Sequence, residues 1–317
     1  MRKWLFDVRP LPAVLPGRIP GVSLRAWEAL REAAPLPAWR MGDRSQVPDG
    51  TTKIALALGQ ATVETVLIPG DGRSTVCVSC QAGCTQHCSF CATATLGFSQ
   101  QLTAGEIVLQ YAIARAEAMP SAPARNVVFM GMGEPMDNLD AVLAAVEVLT
   151  DDAAPRLSWN HVTVSTSGIL PGMRRFLKES RAHLALSLNA TTDDQREGLM
   201  PQTRLSPIGA LLDALRADHA SGSGRRYFIE YVLWQDINDT DEDASRLVAL
   251  LVDFPAHVNL IPHNPFEGNT FQPPTEDRVL AFQRRVQQGG VRCLIRWPRG
   301  GPIAAACGQL ALRRQEP

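Results

Sequence analysis

Five of the chain's seven cysteines fall within fifteen positions, in "CVSCQAGCTQHCSFC" at residues 77–91. Inside it, Cys84, Cys88 and Cys91 form C-x3-C-x2-C. Thiols at this density can hold a metal, pair as disulfides or react as nucleophiles. Three thiolates are one short of the four that close a structural zinc site or an ordinary four-iron cluster. Outside the stretch no second CxxC or HxxxH pair stands ready to complete a zinc ribbon. Three thiolates in a tight loop suit a cluster whose fourth iron stays open to a chelating ligand, with a zinc knuckle as the alternative. His87 could complete the set in principle, but reads more simply as an exposed loop residue.

The compartment bears on that choice. No apolar run approaches the length of a membrane span, and the start, "MRKWLFDVRPLPAVLPG", is broken by Asp7, Arg9 and prolines, a poor signal peptide. The expectation is a cytoplasmic protein with reduced thiols, where clustered cysteines bind metal or act in catalysis more often than they form disulfides. A net charge of −1 excludes bulk electrostatic gripping of nucleic acid. Any such partner would need local patches, for which Arg225–Arg226 and Arg284–Arg285 are candidates and a solvated face is the plainer reading.

The elements that must position these residues alternate. The proline-rich start carries one helical stretch, "SLRAWEALREAA". "TVETVLIP" and "STVCVS", separated by "GDGR", read as a hairpin. Six further strands follow, from "NVVFMGMG" through "HVTVSTSG", "HLALSLNA", "RYFIEYVLW" and "HVNLIPHN" to "VRCLIRW", with helical runs between them. Strand–helix alternation favours right-handed crossovers and a parallel sheet. The expected fold is therefore α/β, a full or partial (β/α) barrel. In such barrels the site lies at the C-terminal strand ends, where "GMGEP", "STSG", "SLNA" and "PHNPF" fall.

The cysteine spacing, with Phe90 before the third cysteine, resembles that of the radical S-adenosylmethionine superfamily. "GMGEP" resembles that superfamily's element holding the methionyl amino group. More specifically, "DGTTKIALAL", "VETVLIP", "CVSCQAGC", "GFSQQLTAGEI", "NVVFMGMGEPMDN", "VTVSTSGI", "LALSLNA", "NLIPHNPF" and "AAACGQLA" together resemble the RlmN/Cfr family of RNA methyltransferases, from about residue 49 to 312. The resemblance implies a [4Fe-4S] cluster on Cys84, Cys88 and Cys91, with S-adenosylmethionine chelating its open iron and yielding an adenosyl radical on one-electron reduction. It implies that Cys307 carries a methyl group, that Cys77 resolves the enzyme–RNA thioether through a transient disulfide, and that Glu64 removes the ring proton. Gly133, Glu134, Ser165, Ser187, Leu188, Asn189 and Asn264 would contact S-adenosylmethionine.

The substrate implied is carbon-2 of an adenosine in 23S rRNA, with transfer RNA as a second candidate and a donor such as flavodoxin supplying electrons to a monomer. Alternatives are carbon-8 methylation, as in the Cfr branch, a divergent member with another substrate, and a non-catalytic three-cysteine metal-binding module. Taken singly, Glu64 could be an exposed strand carboxylate, Ser165 and Ser187 helix caps, and Cys77 a buried strand residue.

The chain departs from the family pattern in four places. Residues 1–48 read as a reduced N-terminal helical or accessory region before the barrel domain, 49–317, with its C-terminal cysteine tail. Asn189 stands where histidine is usual. Gly300, Gly301 and Pro302 replace a charged run, leaving Arg296 and Arg299 available for phosphate. Cys80 is an extra thiol near the cluster loop, and Cys293 reads as core.

Overall fold

The computed structural model describes Phe6, Pro12 and residues 16–33, 37–153 and 155–311. A ten-stranded sheet forms its frame, in the order β1 (Trp39–Gln46), β2 (Thr52–Leu58), β3 (Ala61–Pro69), β4 (Ser74–Cys77), β7 (Ala124–Phe129), β8 (Val162–Thr166), β9 (His183–Ser187), β10 (Tyr227–Leu233), β11 (Ala256–Pro262) and β12 (Arg292–Ile295). The strands from β4 onward run parallel, while β1 to β4 are joined antiparallel. With β1 and β12 at its two ends, the sheet is a partial barrel. A two-stranded ribbon of β5 (Gln81–Gly83) and β6 (Phe98–Gln101) carries the cysteine loop between its arms.

Crossover helices cover the outer face. Helix Ala104–Glu117 begins with a capping box of Thr103 and Glu106, and Asp241–Leu251 with one of Thr240 and Asp243. Under the helices the strands bury Val127, Phe129, Val162, Val164, Ile229 and Tyr231. Their inward residues, among them Asn126, Val128, Thr163, Ser165, Phe228 and Val232, are only half-buried. The barrel interior is thus a partly open space rather than the layered side-chain packing of a closed eight-stranded barrel.

The hairpin and the alternating units occur as expected, although β4 ends at Cys77 rather than Ser79. Strands β1 and β2 were not anticipated: β1 is polar and mostly exposed, so it carries no apolar alternation. Tertiary pairing with β2 makes it a strand. The helix Leu24–Ala33 forms as read and buries Trp27 completely. Residues 1–5, 7–11, 13–15, 34–36, 154 and 312–317 of the two expected domains lie outside the described residues. Among those described, no helix is long and apolar enough to cross a membrane.

Candidate active site

The cysteine loop can turn because of glycine. Gly83 has φ +76°, and a Cβ there would lie 1.7 Å from the Gly97 carbonyl oxygen. The loop is then tied by Cys84 N–H to the same carbonyl (3.1 Å), Cys91 N–H to Cys88 (3.2 Å) and Ser89 N–H to Leu199 (3.0 Å). Cys84, Cys88 and Cys91 all line one cavity, and exposed His87 does not. Burial pushes the Cys84 thiol up to about 12 and Cys88 well above its ordinary value, so an apposed cation is needed to hold them as thiolates. Among the described residues, no three His, Cys, Asp or Glu side chains converge tightly enough to hold a single metal ion. The ligands of a four-iron cluster each take a different iron and so stand farther apart, which a ring of three thiols around a cavity accommodates.

The "GMGE" turn packs against β5. A Cβ on Gly133, whose φ is +102°, would lie 2.5 Å from Gln81 Cβ, and one on Gly131 would lie 2.7 Å from Ser79 Oγ. Glu134 is buried. Its Oε1 accepts from Thr166 Oγ1 (2.7 Å) and Met136 N–H (3.0 Å), and its Oε2 from Ser167 N–H (2.7 Å). Burial raises its pKa while these bonds oppose the rise. A carboxylate has about four acceptor sites, so room for one ammonium donor remains.

Ser165, Ser187, Asn189 and Asn264 line the same cavity at strand ends, with Gly133 and Glu134. Two sequence assignments change character. Leu188 is fully buried and does not line the cavity; its N–H donates to Glu230 O (3.0 Å) and its carbonyl accepts from Arg196 Nε (3.0 Å), so only its backbone serves the site. Asn189, at φ +61°, accepts from Val232 N–H (2.9 Å) and turns its amide toward Met200 sulfur, which occupies the side chain in shaping the strand end.

Arg196 was not foreseen. Fully buried, it donates to the carbonyls of Ser167, Ser187 and Leu188 and to Thr203 Oγ1, stapling the ends of β8 and β9 together. Its only signal in "DDQREGL" is one arginine on a short helix, which reads as surface charge. Of the paired arginines singled out in the sequence, one in each pair is engaged within the fold, while Arg226 and Arg284 are exposed. Arg225 is buried against Asp218 (3.0 Å) and three backbone carbonyls, and Arg285 pairs with Asp241 (3.3 Å).

The C-terminal segment brings the remaining cysteines together. Gly300 is left-handed (φ +70°), and a Cβ there would meet Ala305 Cβ at 2.7 Å, which explains a glycine in this tail. The segment then runs along the cysteine loop: Gly308 O accepts from Ala92 N–H (2.8 Å) and Leu310 O from Thr93 Oγ1 (2.7 Å). Asn264 Nδ2 donates to Cys307 O (3.1 Å). Cys307 opens onto the cavity of the three cysteines and onto a second chamber beneath it, which Cys77 also lines. Cys307 is exposed at this opening, and desolvation by the protein packed around it, then the Glu230 carboxylate, push its thiol up to about 11. Burial, and then Cys307, push Cys77 up to about 12.

Glu64 is buried on β3 rather than exposed. It pairs with Lys53 Nζ (2.8 Å) and accepts from Ala311 N–H (3.1 Å), and it lines neither space. Glu230 does line both, as a lone acid in an apolar strand; it accepts from Asn259 (2.8 Å), and burial raises it to about 7. Cys80 is buried and lines neither space, and Cys293 is core.

Residues 78–248 match the family described as the radical SAM superfamily. A probable RNA methyltransferase of Sorangium cellulosum is 44% identical, covering 98% of this chain and 78% of its own length. The dual-specificity RNA methyltransferase RlmN of Geobacter sulfurreducens is 44% identical over 83% of this chain and 72% of its own. Among solved structures, a radical SAM methyltransferase from Sphaerobacter thermophilus superimposes with a TM-score of 0.86 at 38% identity, covering 92% of this chain and 86% of the other.

Proposed function

The chain belongs to the radical SAM superfamily and, within it, to the RlmN family, and from that premise we propose that it methylates carbon-2 of an adenosine in 23S rRNA, and in transfer RNA, through a methyl group carried on Cys307. The family's cofactors are a [4Fe-4S] cluster and S-adenosylmethionine. The donor set fits them: three thiols ring one cavity, and Glu134 stands in its wall with an acceptor site to spare. When bound, they supply the methyl group and the one-electron chemistry that activates it.

The observation that carries the reading is the place of Cys307, in the wall between the cofactor-side cavity and the chamber of Cys77. A thiol there can be methylated from one side and present its methyl group to a base on the other. The tail, tied at the Cys307 carbonyl by Asn264 Nδ2, holds that sulfur at the boundary. Cys77, buried in the second chamber, is shielded from solvent until a thioether forms beside it. After losing its proton it attacks Cys307 sulfur, and the S–CH2 bond breaks with its electron pair going to the methylene carbon. That carbon is protonated to the methyl group, and a disulfide remains. Glu64 is the proposed acceptor of the ring proton. Its bond to Ala311 N–H links it to the tail four residues beyond Cys307, so movement of the tail removes that donor and leaves the carboxylate on Lys53. The enzyme is proposed to act in the cytoplasm as a monomer, with a flavodoxin-type donor.

The test is nucleoside mass spectrometry. The protein is produced in a bacterium lacking its own adenine carbon-2 methyltransferase, and ribosomal and transfer RNA are digested separately. 2-Methyladenosine is expected in both. 8-Methyladenosine alone would move the reaction to the other ring carbon, and neither nucleoside from cluster-loaded protein would overturn the reading.

A further inference from the structure

The second chamber has its own mouth, at the seam of the partial barrel. There the loop after β12 passes the turn between β3 and β4, and Arg299 Nη1 donates to Pro69 O (2.6 Å). Arg73, Arg296, Trp297 and Arg299 line this rim, and all four are exposed. Trp297 leaves 47% of its surface in water. Among the described residues, Glu230 is the only acid lining the chamber, and it lies at the inner end with Cys77 and Cys307. In a chain of net charge −1, three arginines around one mouth are a local concentration.

An exposed indole among arginines is what single-stranded nucleic acid uses: bases stack on the aromatic face, and guanidinium groups meet the phosphates. The inner walls add the hydroxyls of Thr75 and Thr163, able to meet a base edge, whereas Asn126 is held by Thr75 and His161 and Asn259 by Glu230 and the Nε of Arg296. We propose that this rim is the RNA-docking surface, with Trp297 stacking on a nucleotide beside the target adenosine, the arginines facing its phosphates, and the target base entering the Cys77–Cys307 chamber from this side. This rests on the reading of the chain as an RNA methyltransferase. It divides the barrel interior between two occupants, with cofactors on one side of Cys307 and the substrate base on the other.

The experiment compares wild-type holoenzyme with Trp297→Ala, Trp297→Phe and Arg73→Ala. It measures binding of a single-stranded adenosine-containing oligoribonucleotide across a salt series, methylation kinetics on cellular RNA, and the thermal midpoint of each variant. Removal of an aromatic on which a base stacks weakens binding, so Trp297→Ala is expected to raise KM roughly tenfold. Its kcat and thermal midpoint should stay close to wild type. Trp297→Phe should keep most of the affinity, and Arg73→Ala should flatten the salt slope by about 0.7 for the one phosphate lost. Unchanged binding and KM in Trp297→Ala and Arg73→Ala, beside an active wild type, would overturn the rim while leaving the methyltransferase reading intact. A wild type that neither binds nor methylates RNA would overturn that reading, and the rim with it.

Discussion

The cofactor-side cavity and the chamber of Cys77 share a wall but are built differently. Around the first, the groups that set the strand ends and the cysteine loop are tied, while the buried Ser167 hydroxyl and His263 Nε2 in its wall have no hydrogen-bond partner among the described residues. Glu134 takes three donors, Arg196 spans two strand ends, and Asp137 accepts from Thr85 (2.5 Å) and Gln86 (2.6 Å) of the cysteine loop. The second chamber is walled by half-buried strand residues and closed by a tail held through single bonds spaced along it: Ala304 O on Lys53 (3.3 Å), Cys307 O on Asn264, Gly308 O on Ala92 N–H, Gln309 Nε2 on Pro265 O (2.8 Å), Leu310 O on Thr93 and Ala311 N–H on Glu64. A chelating site gains from walls fixed before the ligand arrives. A sulfur that must be methylated, joined to RNA and then released needs a mounting that can shift.

The largest effects should come from cutting each side at its sulfur. Cys84→Ala is expected to abolish both cluster absorbance and S-adenosylmethionine cleavage; cleavage that survives would remove the loop from cofactor binding. Cys77→Ala should leave the cofactor side intact and trap a protein–RNA crosslink, visible as a shifted band on a denaturing gel. Release of free methylated RNA at the normal rate would rule out Cys77 as the resolving thiol.

Arg196→Ala should sharpen the contrast in rigidity. Loss of its bonds to buried carbonyls is expected to cost about 3 kcal/mol in urea unfolding and to weaken S-adenosylmethionine binding. If stability holds, the strand ends do not depend on this staple. The smallest effect is on pH. In the fold, Cys77 and Cys307 keep their protons up to about 12 and about 11, whereas the unfolded thiol loses its proton near 9.0. Since the folded state binds more protons in that window, stability should be level below pH 9 and decline as pH rises through it. Replacing both cysteines with serine should make the decline shallower, the likewise raised thiols of Cys80, Cys84, Cys88 and Cys293 supplying the rest, and an unchanged profile would place its origin wholly in those other groups.

Much of the frame was legible. Apolar runs and turn residues mark the hairpin and the parallel strands because each is set by local periodicity, and the cysteine loop and "GMGE" turn stand out because their chemistry is contiguous. The failures share a cause. β1 became a strand by pairing with β2, and Arg225 and Arg285 became structural by meeting Asp218 and Asp241 across the fold. Leu188 and Asn189 belong to a recognisable block, yet strand pleat and a positive φ decided which groups face the cavity.

What the sequence determined by itself was the set of reactive groups, the alternation that builds a barrel, and the glycines that let backbone pass where a Cβ cannot. Spacing and backbone conformation act over a few residues, so these are properties of short segments. Only the tertiary structure decided that Cys77 and Cys307 border one chamber, that Glu64 is buried in an ion pair, that Glu230 lies between two spaces and that Arg196 joins two strand ends. Those relations depend on strand order and on the path of the C-terminal tail across the seam, which no local pattern encodes.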